Sequence, residues 1–379
     1  MRPGPLDIAV ILDSPDEAWP SMDLVGEMLL NQWRGTPLEV APSEITLPIP
    51  RMARLVGNGK WAFNLDRAIV RYLAYPVRAM TARRPRRLFH VADHSYAQVL
   101  HVLPSSRTGV YCHDIDAFRP ALAPETERRD RRSAAHQALA RLLLNGLRSA
   151  AMVFYSTRAV GDVLQTHALI PASRLVHAPY GVSREFTAQP GTADAQDPVL
   201  AGLEGHPFVL HVGSAAPRKR LDVLFETFAR LKARHPKLKL VQQGAALSAD
   251  QRTHVTKLGI GEALVQPPKL DRATLAALYR RALIVLVTSE AEGFGFPVLE
   301  ALACGAIVVA SDIPPLVEVG GNAAVYAPTG AIEGWTEIVE AILDGRTAPP
   351  TREQRIERAR AFTWERHART ILDAYRGLV

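Results

Sequence analysis

The chain has 379 residues, of which 47% are hydrophobic and 22% are charged. It is too long for one ordinary hydrophobic core and has the composition of a globular protein, so two domains are expected. No run approaches the ~20 apolar residues that span a bilayer. The apolar N-terminal piece Ile8–Leu12 is followed at once by acidic residues, which argues against a signal peptide. We therefore expect a cytoplasmic protein.

The net charge of +7 is unevenly distributed along the chain. Residues 1–190 hold 23 Lys and Arg against 17 Asp and Glu, whereas residues 191–379 hold 22 against 21. The densest basic run is Arg78–Arg87, RAMTARRPRR. Such a run suits anionic lipid, a phosphate-bearing acceptor or nucleic acid, and it is equally typical of a solvated helix end. Because no aromatic-interleaved nucleic-acid motif accompanies it, no nucleic acid is expected, and peripheral contact with the inner face of the cell membrane stays open.

Short β-rich runs alternate with amphipathic stretches in both halves of the chain, which is typical of an α/β protein with parallel sheets. The predicted strands are Leu6–Leu12, Leu88–Ala92, Gly109–Tyr111, Met152–Tyr155, Phe208–Val212, Lys239–Gln242, Leu283–Thr288 and Ile307–Ala310. The predicted helices are Leu24–Trp33, Leu65–Ala82, Ala134–Leu147, Arg158–Leu169, Leu221–Arg234, Ala273–Arg281, Val298–Ala303 and Phe362–Leu378. This order predicts two Rossmann-like domains that face each other across a cleft.

The domain boundaries follow from a change in composition near the middle of the chain. Residues 186–206 are rich in Gly, Pro, Ala and Asp, as interdomain linkers are. We predict an N-terminal acceptor domain over 1–186, a linker over 187–206, a donor domain over 207–360 and a C-terminal helix over 361–379.

A glycine loop between acidic residues gives the strongest functional signal. The segment Glu292–Glu300, EGFGFPVLE, follows a predicted strand and opens a predicted helix, with Pro297 at the position favoured for a first helical residue. Gly293 and Gly295 allow a tight turn and close approach of a ligand, and the helix start favours a diphosphate. A tight turn with one solvated and one helix-stabilising glutamate is the plainer interpretation of this segment alone.

A second loop favours the ligand-binding interpretation. Residues 213–219, GSAAPRK, follow the strand Phe208–Val212 and precede a helix. The loop places Arg218 and Lys219 at the carboxyl end of a neighbouring strand, where open α/β sheets bind ligands. Two cations at a helix N-terminus are unfavourable without an anion, so the pair indicates a diphosphate site.

These motifs together resemble glycosyltransferase family 4, the large retaining family with the GT-B fold. The resemblance is carried by HVGSAAPRKRLDVLFETFARL, by LAALYRRALIVLVTSEAEGFGFPVLEALACGAIVVASDIPPLVEVGGNAAVYAP and by FTWERHARTILDAYR. It implies that the C-terminal helix crosses back to the first domain. The loop of 213–219 and the CHDID segment are similar to bacterial mannosyltransferases of surface-polysaccharide assembly.

The resemblance implies roles for individual residues. Glu292 would bind hydroxyls of the donor sugar and Glu300 the ribose of the nucleotide, while Arg218 and Lys219 would hold the diphosphate. The remaining donor-binding residues would be Gly213, Ser214, Gly293, Phe294, Gly295, Phe296 and Pro297. Ser214 stands where many members carry an arginine, so the duty of Arg218 is a departure from the common pattern.

The first half resembles the family less closely. His113, in GVYCHDIDAF, matches the histidine that the family places beside the donor sugar, so Glu292 and His113 are the predicted catalytic residues. The alternative for His113 is a histidine satisfied by local backbone. The glycine-rich loop often found after the first strand in the family is absent: residues Ser14–Glu27 read SPDEAWPSMDLVGE. This leaves Asp13, Asp16, Trp19 and Asp23 as candidates for acceptor contacts. Neither the histidines near residue 90 nor Cys112 and Cys304 form a metal-ligand pattern, so neither metal nor cofactor is expected.

The predicted function is transfer of a hexose from a nucleotide diphosphate sugar to a hydroxyl of a glycan or lipid-linked acceptor, with retention. The resemblance favours GDP-mannose as the donor, with UDP-sugars next, and bacterial polysaccharide or glycolipid assembly as the setting. A sugar-nucleotide epimerase of the same fold and a noncatalytic nucleotide or nucleic-acid binder remain alternatives.

Overall fold

The computed structural model describes residues 4–17, 19–36, 39–52, 59–118, 121, 134–167, 170–191 and 193–379. The chain divides into two compact units. The first comprises Met1–Gly181 together with Trp364–Val379, and the second comprises Val182–Thr363.

The first unit is built on a parallel sheet that, over the described residues, has six strands in the order β2-β1-β3-β4-β5-β6. The strands are β1 Leu6–Ile11, β2 Val40–Ile45, β3 Leu88–Val91, β4 Thr108–Cys112, β5 Met152–Tyr155 and β6 Leu175–His177. The α-helices are α1 Pro20–Arg34, α2 Lys60–Ile69, α3 Tyr75–Thr81, α4 Ala134–Ser149 and α5 Arg158–Thr166. A π-helical turn, Val70–Ala74, joins α2 to α3.

The second unit has the same architecture. Its described residues form a second parallel six-stranded sheet in the order β12-β11-β10-β7-β8-β9. The strands are β7 Phe208–Val212, β8 Lys239–Gln243, β9 Leu264–Val265, β10 Ile284–Val287, β11 Val308–Ser311 and β12 Val325–Ala327. The α-helices are α6 Ala193–Gln196, α7 Pro198–Ala201, α8 Leu221–Arg234, α9 Ala249–Lys257, α10 Arg272–Arg281, α11 Phe296–Ala303, α12 Pro314–Gly320, α13 Ile332–Leu343 and α14 Arg352–Arg360.

The predicted α/β class with two Rossmann-like units is confirmed. The segment 187–206, interpreted from the sequence as a linker, lies in the second unit and contains α6 and α7. The predicted helix Arg158–Leu169 ends at Thr166, and its last two positions lie outside the described residues. The strands β2, β6, β9 and β12 were not predicted from the sequence.

The last helix, α15 Trp364–Arg376, belongs to the first unit. The Tyr375 hydroxyl donates to the Phe89 carbonyl at 2.8 Å and lies 3.0 Å from Nδ1 of the buried His90. The indole N–H of Trp33 in α1 donates to the Ala368 carbonyl at 3.2 Å. Because Tyr375 and Trp33 are both fully buried, these bonds fix the helix against the sheet and α1. The crossing implied by the resemblance is present.

Replacing Tyr375 by Phe tests this anchor. The variant keeps the ring but removes the hydroxyl that joins β3 to α15, so two buried polar groups lose a partner. We expect the free energy of unfolding to fall by about 1–3 kcal/mol. Urea unfolding followed by circular dichroism measures it. Thr370→Ala, which removes an exposed hydroxyl bonded to the Arg366 carbonyl one turn earlier, is the control. Equal stability of Y375F and T370A would contradict the anchor.

Candidate active site

The glycine loop connects β10 to α11 in the predicted order of strand, loop and helix. Gly295 lies just before the first helical residue with φ of +105°, a left-handed conformation that favours glycine. A Cβ atom there would lie 2.5 Å from Cδ2 of Leu316, so the site also lacks space for a side chain. The helix begins at Phe296, which makes Pro297 the second helical residue rather than the first.

The side chain of Phe294 belongs to the interior of the second unit. It is buried and makes edge-to-face contacts with Phe296 and Phe362, at centroid distances of 5.3 and 5.9 Å. Any contact of Phe294 with a ligand must therefore come from its backbone, as the resemblance implies. The aromatic packing holds the loop against the unit.

Lys219, Arg218 and Glu292 form one hydrogen-bonded cluster. Nζ of Lys219 lies 2.5 Å from Oε1 of Glu292, and a guanidinium nitrogen of Arg218 lies 3.0 Å from Oε2. The Ser289 hydroxyl donates to Oε1 at 2.7 Å. The side chains of Lys219 and Glu292 are only 9% and 8% exposed, whereas that of Arg218 is 41% exposed. The structure thus joins three of the residues predicted separately from the two loops.

Adjacent strands bring these loops together. β10 pairs directly with β7, so the loops that follow both strands leave the same edge of the sheet. The Glu290 amide donates to the Arg218 carbonyl and the Thr288 hydroxyl donates to the Lys219 carbonyl, each at 2.8 Å. One loop therefore fixes the backbone of Arg218 and Lys219 in the other, and the contact between the loops does not depend on the ion pairs alone.

Opposing effects set the ionisation of Glu292. Burial by itself raises the pKa of its carboxyl group, but the charge and hydrogen bond of Lys219 and the charge of Arg218 bring the pKa below its usual value. The carboxylate is therefore ionised at neutral pH and can accept hydrogen bonds from hydroxyl groups.

Gly213 and Ser214 form the start of the loop after β7. The Gly213 amide donates to the Gln243 carbonyl at 2.9 Å, which ties the loop to the end of β8, and Ser214 is exposed. Arg220, which the sequence analysis passed over, adopts a left-handed conformation with φ of +49°. Its guanidinium pairs with Asp222 at 2.8 Å and Glu290 at 3.2 Å, so its charge is already balanced.

The sequence analysis also missed His211, which lies in the middle of the hydrophobic strand β7. Its Nδ1 bonds the Leu286 carbonyl at 3.0 Å, and no described residue bonds its buried Nε2. Nε2 lies 3.1 Å from where a Cβ on Gly213 would be. Burial lowers the pKa of His211 to about 4, so the ring is neutral and Nε2 is a hydrogen-bond acceptor beneath the loop. A polar residue inside FVLHV was the available signal.

Glu300 lies in the second turn of α11. Its Oε2 accepts a hydrogen bond from the Tyr279 hydroxyl of α10 at 2.9 Å. Burial raises the pKa of the Glu300 carboxyl group to about 7, although the bond from Tyr279 opposes this. Glu300 therefore changes charge near neutral pH.

His113 lies in the first unit at the end of β4, as predicted. Its Nε2 lies 2.8 Å from the Ala92 carbonyl, and its Nδ1 bonds the hydroxyl of Tyr180. Burial lowers its pKa to about 4, so the ring is neutral. Because a neutral ring carries one proton, Nε2–H donates to Ala92 and Nδ1 accepts from Tyr180. Both ring nitrogens thus have partners inside the first unit.

The loop after β1 borders a cavity of about 440 Å³ in the first unit. Its lining includes Asp13 and Asp23 together with Glu27, Glu44 and Asp93. Neither carboxylate oxygen of Asp13 accepts a hydrogen bond from a described residue, and burial with the nearby Asp93 raises its pKa to about 10. The other two candidates do not line it: Asp16 accepts from the Ile49 amide at 2.7 Å, and Trp19 is 52% exposed. Among the described residues, no group of three or more His, Cys, Asp or Glu could hold a metal ion.

The chain is similar to known proteins both in sequence and in structure. Residues 194–362 match the family model of glycosyl transferases group 1. The chain is 31% identical over 212 residues to a D-inositol 3-phosphate glycosyltransferase of Kribbella flavida, covering 52% of this chain and 49% of that protein. The chain thus spans about half the length of this curated relative.

Solved structures are similar over nearly the whole chain. Sucrose-phosphate synthase from Thermosynechococcus elongatus superposes with a TM-score of 0.74 at 18% identity, covering 98% of both chains. Anabaena HepE in complex with UDP and glucose gives 0.74 at 16% identity, covering 98% of this chain and all of the other. These likenesses show the GT-B fold that the sequence resemblance predicted.

The raised pKa of Glu300 predicts a pH-dependent stability. Because the folded-state pKa exceeds the unfolded one, protonation of Glu300 stabilises the fold at low pH, and this contribution is lost as the pH rises through about 7. Glu300→Gln, which is neutral at every pH, should be more stable than the parent at about pH 8 and similar at about pH 5.

Thermal unfolding at the two pH values measures this difference, with a Tm gain of about 2 °C or more expected at the higher pH. Glu290→Gln, at an exposed glutamate of the preceding loop, is the matched control. A gain for E300Q that is the same at both pH values would count against titration of Glu300.

Proposed function

We propose that the protein transfers a hexose from a nucleotide diphosphate sugar to an acceptor hydroxyl, with retention of anomeric configuration. The observation that carries the proposal is the cluster of Lys219, Arg218 and Glu292 at the carboxyl ends of β7 and β10. The match of residues 194–362 to glycosyl transferases group 1 supports it. The whole chain's activity rests on these two lines together.

The cluster has the chemistry that a departing diphosphate requires. The Lys219 ammonium has three N–H donors, one of which bonds Glu292. The half-exposed Arg218 guanidinium has further N–H groups that can donate to phosphate oxygens. Glu292 and the bonds between the two loops hold both cations before the ligand arrives, so they stabilise the charge that develops on the leaving group without reorganising.

Glu292 fits the binding of sugar hydroxyls better than nucleophilic attack. Its two oxygens accept hydrogen bonds from Lys219, Ser289 and Arg218, which stabilise the carboxylate and lower its nucleophilicity. By analogy with the family resembled, the acceptor oxygen bonds the anomeric carbon on the face that the diphosphate leaves. The bond from that carbon to the phosphate oxygen breaks, and the acceptor proton passes to the departing phosphate.

A sequence resemblance and a structural neighbour each suggest a donor. The resemblance to bacterial mannosyltransferases favours GDP-mannose, and the HepE structure holding UDP and glucose makes UDP-glucose the second donor to test. In this proposal the enzyme works in the cytoplasm, in the assembly of a bacterial polysaccharide or glycolipid, and needs neither a metal nor a further cofactor.

The acceptor is proposed to bind in the acidic cavity of the first unit. At neutral pH its ionised carboxylates accept hydrogen bonds from hydroxyl groups and repel phosphates, whereas Asp13 is protonated and can donate one. Arg34 at the cavity wall is paired with Glu44 at 3.1 Å. This favours a glycan or lipid-linked hydroxyl that carries no phosphate near the reacting end. The relative from Kribbella flavida and the cyanobacterial synthase are instead named for phosphorylated sugars or polyols.

Two substitutions separate the roles within the cluster. Glu292→Gln removes the charge that competes with phosphate, so the affinity for GDP or UDP should stay equal or rise, whereas transfer should fall about 10²–10³-fold. Lys219→Met removes a donor to the diphosphate and should weaken nucleoside diphosphate binding at least about tenfold. Isothermal titration with the free diphosphates and a transfer assay with GDP-mannose and UDP-glucose measure both effects.

Arg230→Met, at an exposed arginine of α8 paired with Glu333, controls for general loss of positive charge. Unchanged turnover in both E292Q and K219M would refute the site. Conversion of the donor sugar with no acceptor added would instead identify the epimerase alternative.

A further inference from the structure

One long helical segment of the first unit carries an unusual set of exposed apolar side chains. α2, the π-helical turn and α3 run without a break over 60–81. We call the large, exposed apolar residues on this segment the apolar face; their exposed fractions lie between 37% and 64%. These residues are Trp61, Leu65, Ile69, Leu73, Val77 and Met80. Half of the twelve large apolar side chains that are exposed among the described residues lie here.

Their spacing keeps them on one side of the helix. The residues recur mostly at every fourth position, which in a regular α-helix drifts slowly around the axis. The π-helical turn at the middle takes more residues per turn and offsets part of that drift. Ala62, Val70, Tyr75 and Ala79, on the other side, are buried. One side of the helix is thus fixed to the unit while the opposite side presents apolar surface to solvent.

The charge around the apolar face is positive. Residues 60–87 contain eight Lys and Arg against a single acidic residue, Asp66, which is buried. Arg71 is paired with Glu17 and Arg87 with Asp7, so both belong to the interior of the unit. Four further arginines are exposed at the C-terminal end of the segment, namely Arg78, Arg83, Arg84 and Arg86.

We propose that the apolar face docks on an anionic membrane surface. An interfacial helix places its apolar side chains at the boundary of headgroups and acyl chains, while flanking cations contact anionic headgroups. The face and the four arginines meet both requirements at once. The docking goes beyond the proposed sugar transfer and does not depend on it.

Other occupants fit these observations less well. A second copy seated face to face with the helices parallel would bring the two sets of four arginines near each other, which is unfavourable, and an antiparallel copy would leave the arginines without an anionic partner. Nucleic acid would match the arginines but not six large aliphatic and aromatic side chains. Among the described residues no helix is long and apolar enough to cross a bilayer, so contact from this segment is with the surface.

Vesicle flotation tests the proposal on the full-length protein. Vesicles of phosphatidylcholine with phosphatidylglycerol should bind it, vesicles of phosphatidylcholine alone should bind it at least tenfold more weakly, and added salt should weaken the binding. The double variant Leu73→Glu/Val77→Glu and the double variant Arg83→Glu/Arg84→Glu should each lose at least tenfold in partition to anionic vesicles. Leu142→Glu, at an exposed leucine of α4, should bind as the parent does.

Trp61 provides a second readout. Its emission should shift to shorter wavelength on adding anionic vesicles, and Trp61→Phe should abolish that shift. Circular dichroism and nucleoside diphosphate titration establish that each variant is folded, since none of these residues belongs to the donor site. Failure of the parent to bind any nucleoside diphosphate would count against the proposed function but would leave the membrane-docking test unaffected.

Absence of vesicle binding by the parent at low salt would overturn the proposal. So would equal binding to both vesicle types, or equal binding of the parent and the Leu73→Glu/Val77→Glu variant. A parent dimer that this variant dissociates, without any vesicle binding, would assign the face to self-association instead.

Discussion

The proposed donor site depends on one buried ionic contact, between the Lys219 ammonium and the Glu292 carboxylate. Both side chains are almost completely buried. In a buried environment an unpaired charge is costly, and an ion pair seldom stabilises the fold more than apolar residues of similar size would. Such a pair is better explained by function than by stability. It holds a cation and a negatively charged hydrogen-bond acceptor side by side, where the proposed sugar diphosphate would present phosphate oxygens and hydroxyls.

The rest of the second unit makes this contact possible. β7 and β10 are neighbours although they are far apart in sequence, and their following loops are cross-linked through main-chain bonds of Arg218 and Lys219. Gly295 then turns the chain into α11 in a conformation that few other residues tolerate. The first unit contains a different device: burial keeps His90, His113 and His367 neutral, so their rings act as fixed hydrogen-bonding groups and not as charges.

The sequence predicted the interior of both sheets and missed their borders. The eight strands found from the sequence are the eight interior ones, whereas β2, β6, β9 and β12 are the edge strands. Interior strands of a parallel sheet are buried on both faces and appear as apolar runs. Three of the edge strands, β6, β9 and β12, have only two or three residues, and β2 has six but contains Pro42 and Glu44. The polar helices α9 and α14 lack an apolar stripe and were missed for a similar reason.

The residues of the proposed donor site were chosen from motif spacing and resemblance, but the contacts between them could not be predicted. That Arg218 and Lys219 both bind Glu292 follows from the pairing of β7 with β10, which no local pattern encodes. The engagement of both nitrogens of His113 depends on Tyr180 and Ala92, which are distant in sequence. His211 was missed because one polar residue in a hydrophobic strand has no periodic signal.

A crystal structure with bound GDP or UDP would show whether Lys219 and Arg218 hold the diphosphate. We expect diphosphate oxygens within about 2.7–3.2 Å of Lys219 Nζ and of the Arg218 guanidinium, near the start of α11. A diphosphate bound elsewhere, with both cations still on Glu292, would contradict this expectation.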